Sequence, residues 1–204
     1  VDKTGTLTEN AMKVQKFSLN HETLTLSDLP IPEAFHSLIE YGVLSSHRDP
    51  FDPMEKAIHK TLEQYLKDTD HDHSNWTLVR EYPLTDQLRA MACVWRNPNS
   101  DLFTIAAKGA PEDIFDLCHF DLEQTNRMMK DVHQLANDGL RVLAVAKSTF
   151  TNSEELPPKS HDFKFEYLGI MGLEDPLRAE VPEALKTCWK AGIKVFMLTG
   201  DLPN

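Results

Sequence analysis

The first eight residues, VDKTGTLT, contain the side chains that a phosphoryl-transfer site requires. A carboxylate such as that of Asp2 can attack phosphorus and form an acyl phosphate, which divides one difficult hydrolysis into two easier steps. Gly5 permits a tight turn, and hydroxyls and backbone N–H groups around it can face phosphoryl oxygens. A magnesium ion would offset the repulsion between nucleophile and substrate, which are both anionic. Taken alone, however, Asp2 is better explained as a capping aspartate.

A second turn, Thr199-Gly200-Asp201, follows the apolar segment IKVFML near the other end of the sequence. Its hydroxyl and backbone amides could bind the phosphoryl group that Asp2 accepts. Open α/β sheets bind ligands at the carboxyl ends of their strands, where such turns lie. The two turns together therefore favour a phosphorylation site over a capping role for Asp2.

The bulk composition excludes several classes of function. The net charge of −11 over 204 residues argues against a general binder of nucleic acid or anionic membranes. The three cysteines are odd in number and form no CxxC pair, so reduced thiols of a cytosolic protein are expected, not a disulfide framework or a zinc site. No apolar run reaches the roughly 20 residues that cross a bilayer, and no signal peptide is visible, so we expect a soluble chain. The sequence contains no GxxxxGK[ST] motif, which argues against P-loop chemistry.

Alternating and helical spacings predict the elements that position these residues. Strands are predicted over 12–19, 76–82, 89–95, 102–108, 140–150 and 165–173, and helices over 30–47, from 53 onward, and over 110–118, 122–137 and 181–191. The turn sequence NPNSD predicts that its two flanking strands form an antiparallel hairpin. The last strand, the last helix and IKVFMLTGD give a strand-helix-strand order that favours a parallel sheet.

Four motifs give the sequence a resemblance to a known family. DKTGTLT, KGAPE at 108–112, DPLR at 175–178 and TGD at 199–201 occur in the same order in P-type cation-transporting ATPases. The resemblance covers nearly the whole chain. The segments FDPMEKA at 51–57 and 82–95 look most like those of bacterial members of the calcium-pump-like group.

The resemblance implies an α/β protein with two domains. An α+β nucleotide-binding domain with a mixed, largely antiparallel sheet would occupy residues 11–174. It would be inserted into a truncated, Rossmann-like phosphorylation domain of the haloacid dehalogenase type, formed by residues 1–10 and 175–204.

The resemblance also assigns roles in the phosphorylation site. Asp2 would be phosphorylated by ATP, Lys3 and Thr4 would line the phosphate, and Asp2 with the main-chain carbonyl of Thr4 would bind Mg²⁺. The phosphoryl oxygens would be held from the other side by Thr199 and Gly200, with Asp201 nearby.

The nucleotide site is assigned in the same way. Lys108 and Gly109 would lie at the adenine pocket, where small residues lead into a helix N-terminus with its partial positive charge. Glu55 would lie near the adenine amino group, and Arg141 would contact the nucleotide phosphates. Without the resemblance, Lys108 is read as a solvated lysine at a strand end, Glu55 as part of an exposed helix face and Arg141 as a surface residue.

One segment departs from better-known family members. They carry a phenylalanine that stacks on adenine and a lysine five residues later, where this sequence has Leu84 and Arg89. Leucine offers no π-face, so a stacking contribution of about 0.5–1.5 kcal/mol would be lost. We therefore expect weak ATP binding.

Two connections, 8–11 and 175–178, would join the two domains. Pro176 fixes one backbone dihedral, and paired crossings allow two rigid bodies to swing. The resemblance implies that Asp175, Pro176 and Arg178 form a hinge whose motion brings the γ-phosphate to the aspartate.

The sequence lacks the family's later GDGxNDxP motif, which completes the magnesium site. We therefore expect this chain to bind ATP with little or no turnover. The resemblance further implies partners that are absent here: an actuator domain and membrane helices that bind the transported cation. It places the chain on the cytoplasmic face of a membrane, the inner membrane in bacteria.

Two alternatives remain open from the residues. A soluble phosphatase of the haloacid dehalogenase type with a large cap would be favoured by an aspartate two residues after the nucleophile, where this chain has Thr4. A non-enzymatic nucleotide-binding module is the other. A metal site at His71 and His73 is not favoured, because a polar loop explains them.

Overall fold

The computed structural model describes residues 1–26, 30–73, 75–151 and 155–197. Within these ranges the strands are β1 (Lys13–Leu19), β2 (Glu22–Thr25), β3 (Thr77–Tyr82), β4 (Ala90–Arg96), β5 (Leu102–Gly109), β6 (Arg141–Thr151) and β7 (Glu166–Glu174). The helices are α1 (His36–Leu44), α2 (Pro53–Tyr65), α3 (Pro111–Leu117), α4 (Leu122–Asn137) and α5 (Val181–Lys190). None of the helices in the described ranges is long and apolar enough to cross a membrane.

The strands form one sheet in the order β2-β1-β7-β6-β5-β4-β3. Strands β3 to β7 lie in chain order, and β1 then pairs with the free edge of β7. The predicted hairpin around NPNSD is confirmed, because β4 and β5 pair antiparallel on either side of it. The prediction of a mixed sheet is wrong for the described residues, since neighbouring strands are antiparallel throughout.

The prediction that β7 begins a parallel strand-helix-strand unit is also wrong. This strand pairs antiparallel with β1 and β6, and residues 193–197 form no strand. The remainder of the predicted last strand lies outside the described residues. Because β7 is central and covered on both faces, Ile170 packs in one core cluster and Met171 in another. A strand buried on both faces reads as a continuous apolar run, which is also the usual signature of a parallel strand.

Helices cover both faces of the sheet. Successive strand residues point to opposite faces, so β4 sends Ala92 and Val94 toward α3 and α4, and Cys93 and Trp95 toward α1. The α1–α2 face carries the cluster around Phe17, Ile58 and Met171, and the α3–α4 face carries the cluster around Phe115, Leu135 and Ile170.

Local signals set most of the helix ends. The Asp52 carboxylate accepts from the Met54 and Glu55 amides, and proline occupies the first turn of α2. Asp121 and Gln124 form a reciprocal capping box at the start of α4, which ends as predicted before Gly139 with φ of +79°.

One local prediction differs from the structure, and one strand has no counterpart among the predicted elements. Helix α1 is shorter than predicted, because residues 33–35 form a tighter turn and the helix ends at Leu44. Strand β2 was not predicted, since its four residues, ETLT, are largely exposed and carry no apolar alternation.

Candidate functional site

A buried ion pair between Lys108 and Glu55 forms the centre of the candidate site. The Lys108 Nζ lies 2.7 Å from Glu55 Oε1, and both side chains are 7% exposed. The same ammonium donates to the Ser45 carbonyl at 2.6 Å and the Ser46 hydroxyl at 2.8 Å. The solvated-lysine and exposed-helix interpretations of Lys108 and Glu55 are therefore wrong. The sequence could not reveal this pairing because 53 positions separate the two residues.

Helix ends explain why the pair forms at this point. Lys108 near the end of β5 reaches the C-terminus of α1, where the Ser45 carbonyl has no partner within the helix. Glu55 lies in the first turn of α2, where the helix dipole favours an anion. Burial lowers the pKa of Lys108, and the adjacent Glu55 carboxylate opposes that shift. The cation therefore needs its carboxylate partner to remain charged inside the fold.

The loop after α1 connects this pair to β3. The His47 backbone N–H lies 3.4 Å from Glu55 Oε2, and the His47 ring lies 3.3 Å from Glu81 Oε1. Leu84, three residues beyond Glu81, is 59% exposed on the loop between β3 and β4. Leu84 is therefore an exposed apolar side chain on the loop that follows β3, the strand that contacts His47.

Arg89 and Gly109 lie on adjoining strand ends. The Arg89 carbonyl accepts from the Ala110 N–H at 2.9 Å, and a Cβ at Gly109 would lie 2.4 Å from that carbonyl. Close backbone approach therefore accounts for glycine at 109. The Arg89 side chain is 65% exposed and pairs with Asp113 at 2.9 Å, at the start of α3.

Arg141 is exposed at the beginning of β6. Lys108 pairs with Val145 across β5 and β6, and Arg141 precedes Val145 by four residues on the same strand. Alternation therefore puts Arg141 on the sheet face of Lys108, but nearer the strand end. Within the part of the chain that the structure describes, no hydrogen bond or ion pair joins Arg141 to the Lys108–Glu55 pair.

The opening residues form a compact turn at a distance in sequence from this pair. Gly5 has φ of +77°, as a tight turn requires, and its N–H donates to the Thr8 hydroxyl at 3.1 Å. The exposed Asp2 carboxylate accepts from the Lys3 N–H at 2.9 Å. The Val1 amine donates to the Phe196 carbonyl at 2.7 Å, so the first residue lies beside the last described segment. Thr199, Gly200 and Asp201 lie outside the described residues.

The two predicted connections are bound to each other. Asp175 accepts from the Thr8 hydroxyl at 2.5 Å and from the Ala11 N–H at 3.2 Å. The Pro176 carbonyl accepts from the Glu9 N–H at 2.9 Å. Arg178 donates through its guanidinium to the Gly5 carbonyl at 3.0 Å, and through its backbone N–H to Leu7.

The opening turn carries oxygen donors of the kind that Mg²⁺ prefers. Asp2 and Thr4 are both exposed, and the Asp2 hydrogen bond to Lys3 uses one carboxylate oxygen. The second carboxylate oxygen and the Thr4 carbonyl fit as part of a magnesium site.

A pocket of about 370 Å³ lies on the α1–α2 face, and neither Lys108 nor Glu55 lines it. One of its walls is Glu40, whose carboxylate oxygens lie 2.7 Å from His71 Nδ1 and 2.6 Å from His73 Nε2. Burial would raise the pKa of Glu40, but the hydrogen bonds and charges of His73 and His71 outweigh it and lower that pKa. Sequence reasoning missed this cluster, because Glu40 precedes the two histidines by more than 30 positions.

Comparisons with known proteins agree with this architecture. Residues 51–180 match the family model described as P-type ATPase, cytoplasmic domain N. The chain is similar to a sodium/potassium exporting P-type ATPase of Schizosaccharomyces pombe, with 34% identity over 162 residues that cover 75% of this chain and 16% of that protein.

Two further relatives match the chain over nearly its full length. A probable cation-transporting P-type ATPase of Mycoplasma genitalium is 31% identical over 204 residues, covering 98% of this chain and 22% of that protein. The human plasma membrane calcium-transporting ATPase 4 is 28% identical over 238 residues, covering 100% and 19%. The chain thus spans about a fifth of the length of the curated relatives it matches. It belongs to the P-type cation ATPases and contains their cytoplasmic domain N.

Proposed function

We propose that this chain binds ATP and carries the phosphorylated aspartate of an ATPase that couples ATP hydrolysis to cation transport across a membrane. The observation that carries the proposal is the buried Lys108–Glu55 pair, which fixes the end of β5 against α1 and α2. The loop between β3 and β4 presents Leu84 and Arg89 to solvent. An exposed apolar surface and a cation are the groups that adenine and phosphates require.

The proposed site has a rigid floor and an exposed rim. Because the Lys108 ammonium already has three oxygen partners, we propose that Lys108, with Glu55 and Gly109, holds the floor in shape. Leu84 would then cover the base from the rim. Nearer the strand ends, Arg89 and Arg141 would meet the phosphates.

We propose that residues 11–174 form the nucleotide-binding domain, and residues 1–10 and 175–204 belong to a phosphorylation domain of the haloacid dehalogenase type. The pairing of Lys13 with Glu174 supports these boundaries, because the chain then enters and leaves the sheet at neighbouring strand ends. Asp175, Pro176 and Arg178 would be the hinge between the two, since their contacts with residues 5–11 bind the two connections together.

In the proposed reaction an Asp2 carboxylate oxygen bonds to the γ-phosphorus of ATP while the bond to the β,γ-bridging oxygen breaks, which releases ADP and leaves an acyl phosphate. Asp2 and the Thr4 carbonyl would hold Mg²⁺, which neutralises charge on the transferred phosphoryl group when bound. Lys3 would offset part of the remaining negative charge. Thr199, Gly200 and Asp201 would complete the phosphate site.

The proposed setting is the cytoplasmic face of a membrane, with an actuator domain and cation-binding membrane helices as partners. We propose that the 204-residue chain by itself binds nucleotide with little turnover. The reason is that its sequence has no GDGxNDxP motif to complete the magnesium site. The first test of this function is therefore whether the chain binds ATP, and not how fast it hydrolyses ATP.

Replacing Leu84 by phenylalanine should tighten ATP binding by about two- to tenfold. The added ring restores the stacking contribution of about 0.5–1.5 kcal/mol that leucine cannot supply. Leu84 is 59% exposed, so the larger side chain should not disturb the core. The dissociation constant is measured by titrating the chain with a fluorescent ATP analogue and displacing it with ATP.

A matched control is Leu102→Phe, which adds the same ring at a 44% exposed position at the far end of β5. It should leave the dissociation constant unchanged. If the unaltered chain shows no saturable binding, the proposed function is wrong. Equal affinities for the unaltered chain and Leu84→Phe would instead remove Leu84 from the adenine site.

A further inference from the structure

Phe51 is the most exposed of the ten phenylalanines in the chain, with 91% of its surface accessible. Eight of the others are buried or partly buried in the apolar clusters on the two faces of the sheet. The remaining one, Phe196, is 72% exposed in the last described segment. Single exposed apolar side chains are common on protein surfaces, so exposure alone assigns no role to the Phe51 ring. Its place in the fold gives it one.

Phe51 lies on the loop 45–52, between α1 and α2, and this loop is bound to the buried ion pair from both sides. At its start, the Ser45 carbonyl accepts from Lys108 Nζ at 2.6 Å. Just after its end, the Glu55 carboxylate accepts from the same nitrogen at 2.7 Å. The loop that carries Phe51 is therefore held next to the pair that fixes the proposed nucleotide site.

Phe51 directly precedes the residue that caps α2. The Asp52 carboxylate accepts from the Glu55 N–H at 3.2 Å, which fixes Asp52 against the first turn of the helix. Neighbouring Cα atoms are about 3.8 Å apart, and one helical turn rises about 5.4 Å, so the Cα atoms of Phe51 and Glu55 lie within about 10 Å of each other. A nucleotide that binds against the pair would therefore lie within reach of the Phe51 ring.

Two prolines restrict the backbone on either side of Phe51. The ring of Pro50 fixes its own φ. Asp52 precedes Pro53 and is extended, with φ of −66° and ψ of 132°, as a residue before proline prefers. Little backbone entropy would therefore be lost when the Phe51 side chain packs on a ligand.

The charges on the loop favour the base of a nucleotide over its phosphates. The ionisable residues of the loop are His47, Arg48, Asp49 and Asp52. The Arg48 guanidinium donates to the Trp76 carbonyl at 2.9 Å, and the His47 ring lies 3.3 Å from Glu81 Oε1. The two aspartates stand on either side of Phe51 and would repel phosphate, whereas a nucleotide base carries no charge. The exposed ring is thus in surroundings that suit the uncharged end of the ligand.

We propose that the ring of Phe51 stacks on the base of the bound nucleotide and supplies the π-face that Leu84 lacks. This inference rests on the proposed function. Leu84 would cover the opposite face of the base. Because every base has a π-face, a stacking contact of this kind adds affinity without selecting one base over another.

The test compares the ATP affinities of Phe51 variants of the 204-residue chain, by displacement of a fluorescent ATP analogue. Phe51→Ala should weaken ATP binding by at least about fivefold, as expected for the loss of one base–aromatic stack. Phe51→Trp keeps an aromatic face and should retain the affinity of the unaltered chain. Because the side chain is 91% exposed, neither change should disturb the core.

Proton spectra of the ligand distinguish stacking from an effect on the shape of the loop. The two carbon-bound protons of adenine should shift upfield on binding to the unaltered chain, because protons above an aromatic ring are shielded. The shift should be much smaller with Phe51→Leu, which keeps an apolar side chain but has no ring. Phe196→Ala removes the other exposed phenylalanine ring and should leave both the affinity and the upfield shift unchanged.

The outcomes separate this inference from the proposed function. Saturable ATP binding that is equal in the unaltered chain and Phe51→Ala would overturn the inference and leave the proposed function standing. Equal upfield shifts with the unaltered chain and Phe51→Leu would do the same, as would a loss of affinity in Phe51→Ala that also appears in Phe51→Trp. An absence of saturable ATP binding by the unaltered chain would overturn both.

Discussion

Replacing Lys108 by methionine should destabilise the domain by about 3–5 kcal/mol, because it leaves the Glu55 carboxylate buried without its partner. Both side chains are 7% exposed, so water cannot take the place of the ammonium. The Ser45 carbonyl at the end of α1 loses its donor as well. The free energy of unfolding of a domain is only about 5–15 kcal/mol, so the expected loss is a large fraction of the total stability. For a chain of this size it corresponds to about 6–20 °C in Tm, measured by thermal or urea unfolding.

A double-mutant cycle separates the ion pair from packing. Adding Glu55→Gln to Lys108→Met removes the isolated charge, so the double variant should be more stable than Lys108→Met alone. Lys56→Met removes an exposed lysine from the next position on α2 and should change stability by less than about 0.5 kcal/mol. The account of the pair fails if Lys108→Met costs less than about 1 kcal/mol, or if the two changes are simply additive.

Replacing Asp175 by alanine should accelerate hydrogen exchange at the Ala11 amide by about 10- to 100-fold. Asp175 accepts from that amide and from the buried Thr8 hydroxyl, and hydrogen bonds to a charged acceptor contribute about 1.5–3 kcal/mol each. The Thr8 hydroxyl in turn accepts from the Gly5 N–H, so the opening turn should also loosen. The effect should be local, because β1 and β7 remain paired beyond this point.

Asp101→Asn is the charge control for this experiment. It removes one negative charge from an exposed turn and should leave exchange at Ala11 and Gly5 unchanged. Asp175→Asn, which retains one oxygen acceptor, should give an intermediate rate. Equal rates at Ala11 in the unaltered chain and Asp175→Ala would show that the two connections are not held together by this carboxylate.

The features that the sequence predicted correctly have local causes. The hairpin between β4 and β5 follows from NPNSD, and the limits of α4 follow from its capping residues and Gly139. The family could be identified because DKTGTLT, KGAPE, DPLR and TGD are contiguous motifs. Each of these signals lies within a few positions and needs no knowledge of the tertiary structure.

The features that were missed depend on residues far apart in the chain. A lysine at a strand end looks solvated until Glu55 and the end of α1 are brought to it. His71 and His73 do lie in a loop, but their pairing with Glu40 could not be predicted, because Glu40 is more than 30 positions away on α1. Strand β7 shows the related difficulty, since burial on both faces gives the same apolar run in parallel and antiparallel sheets. In each of these three cases the outcome depends on which distant residues or strands the tertiary structure brings together.

The central claim is that ATP binds at the strand ends beside the Lys108–Glu55 pair, and mapping the site with backbone amide spectra tests it most directly. Titration of the 204-residue chain with ATP should give saturable shifts at residues 84–89 and 108–110. The Trp95 indole in the separate pocket should stay unchanged. A titration without saturable shifts at 84–89 and 108–110, or with shifts confined to the pocket around Trp95, would contradict the account.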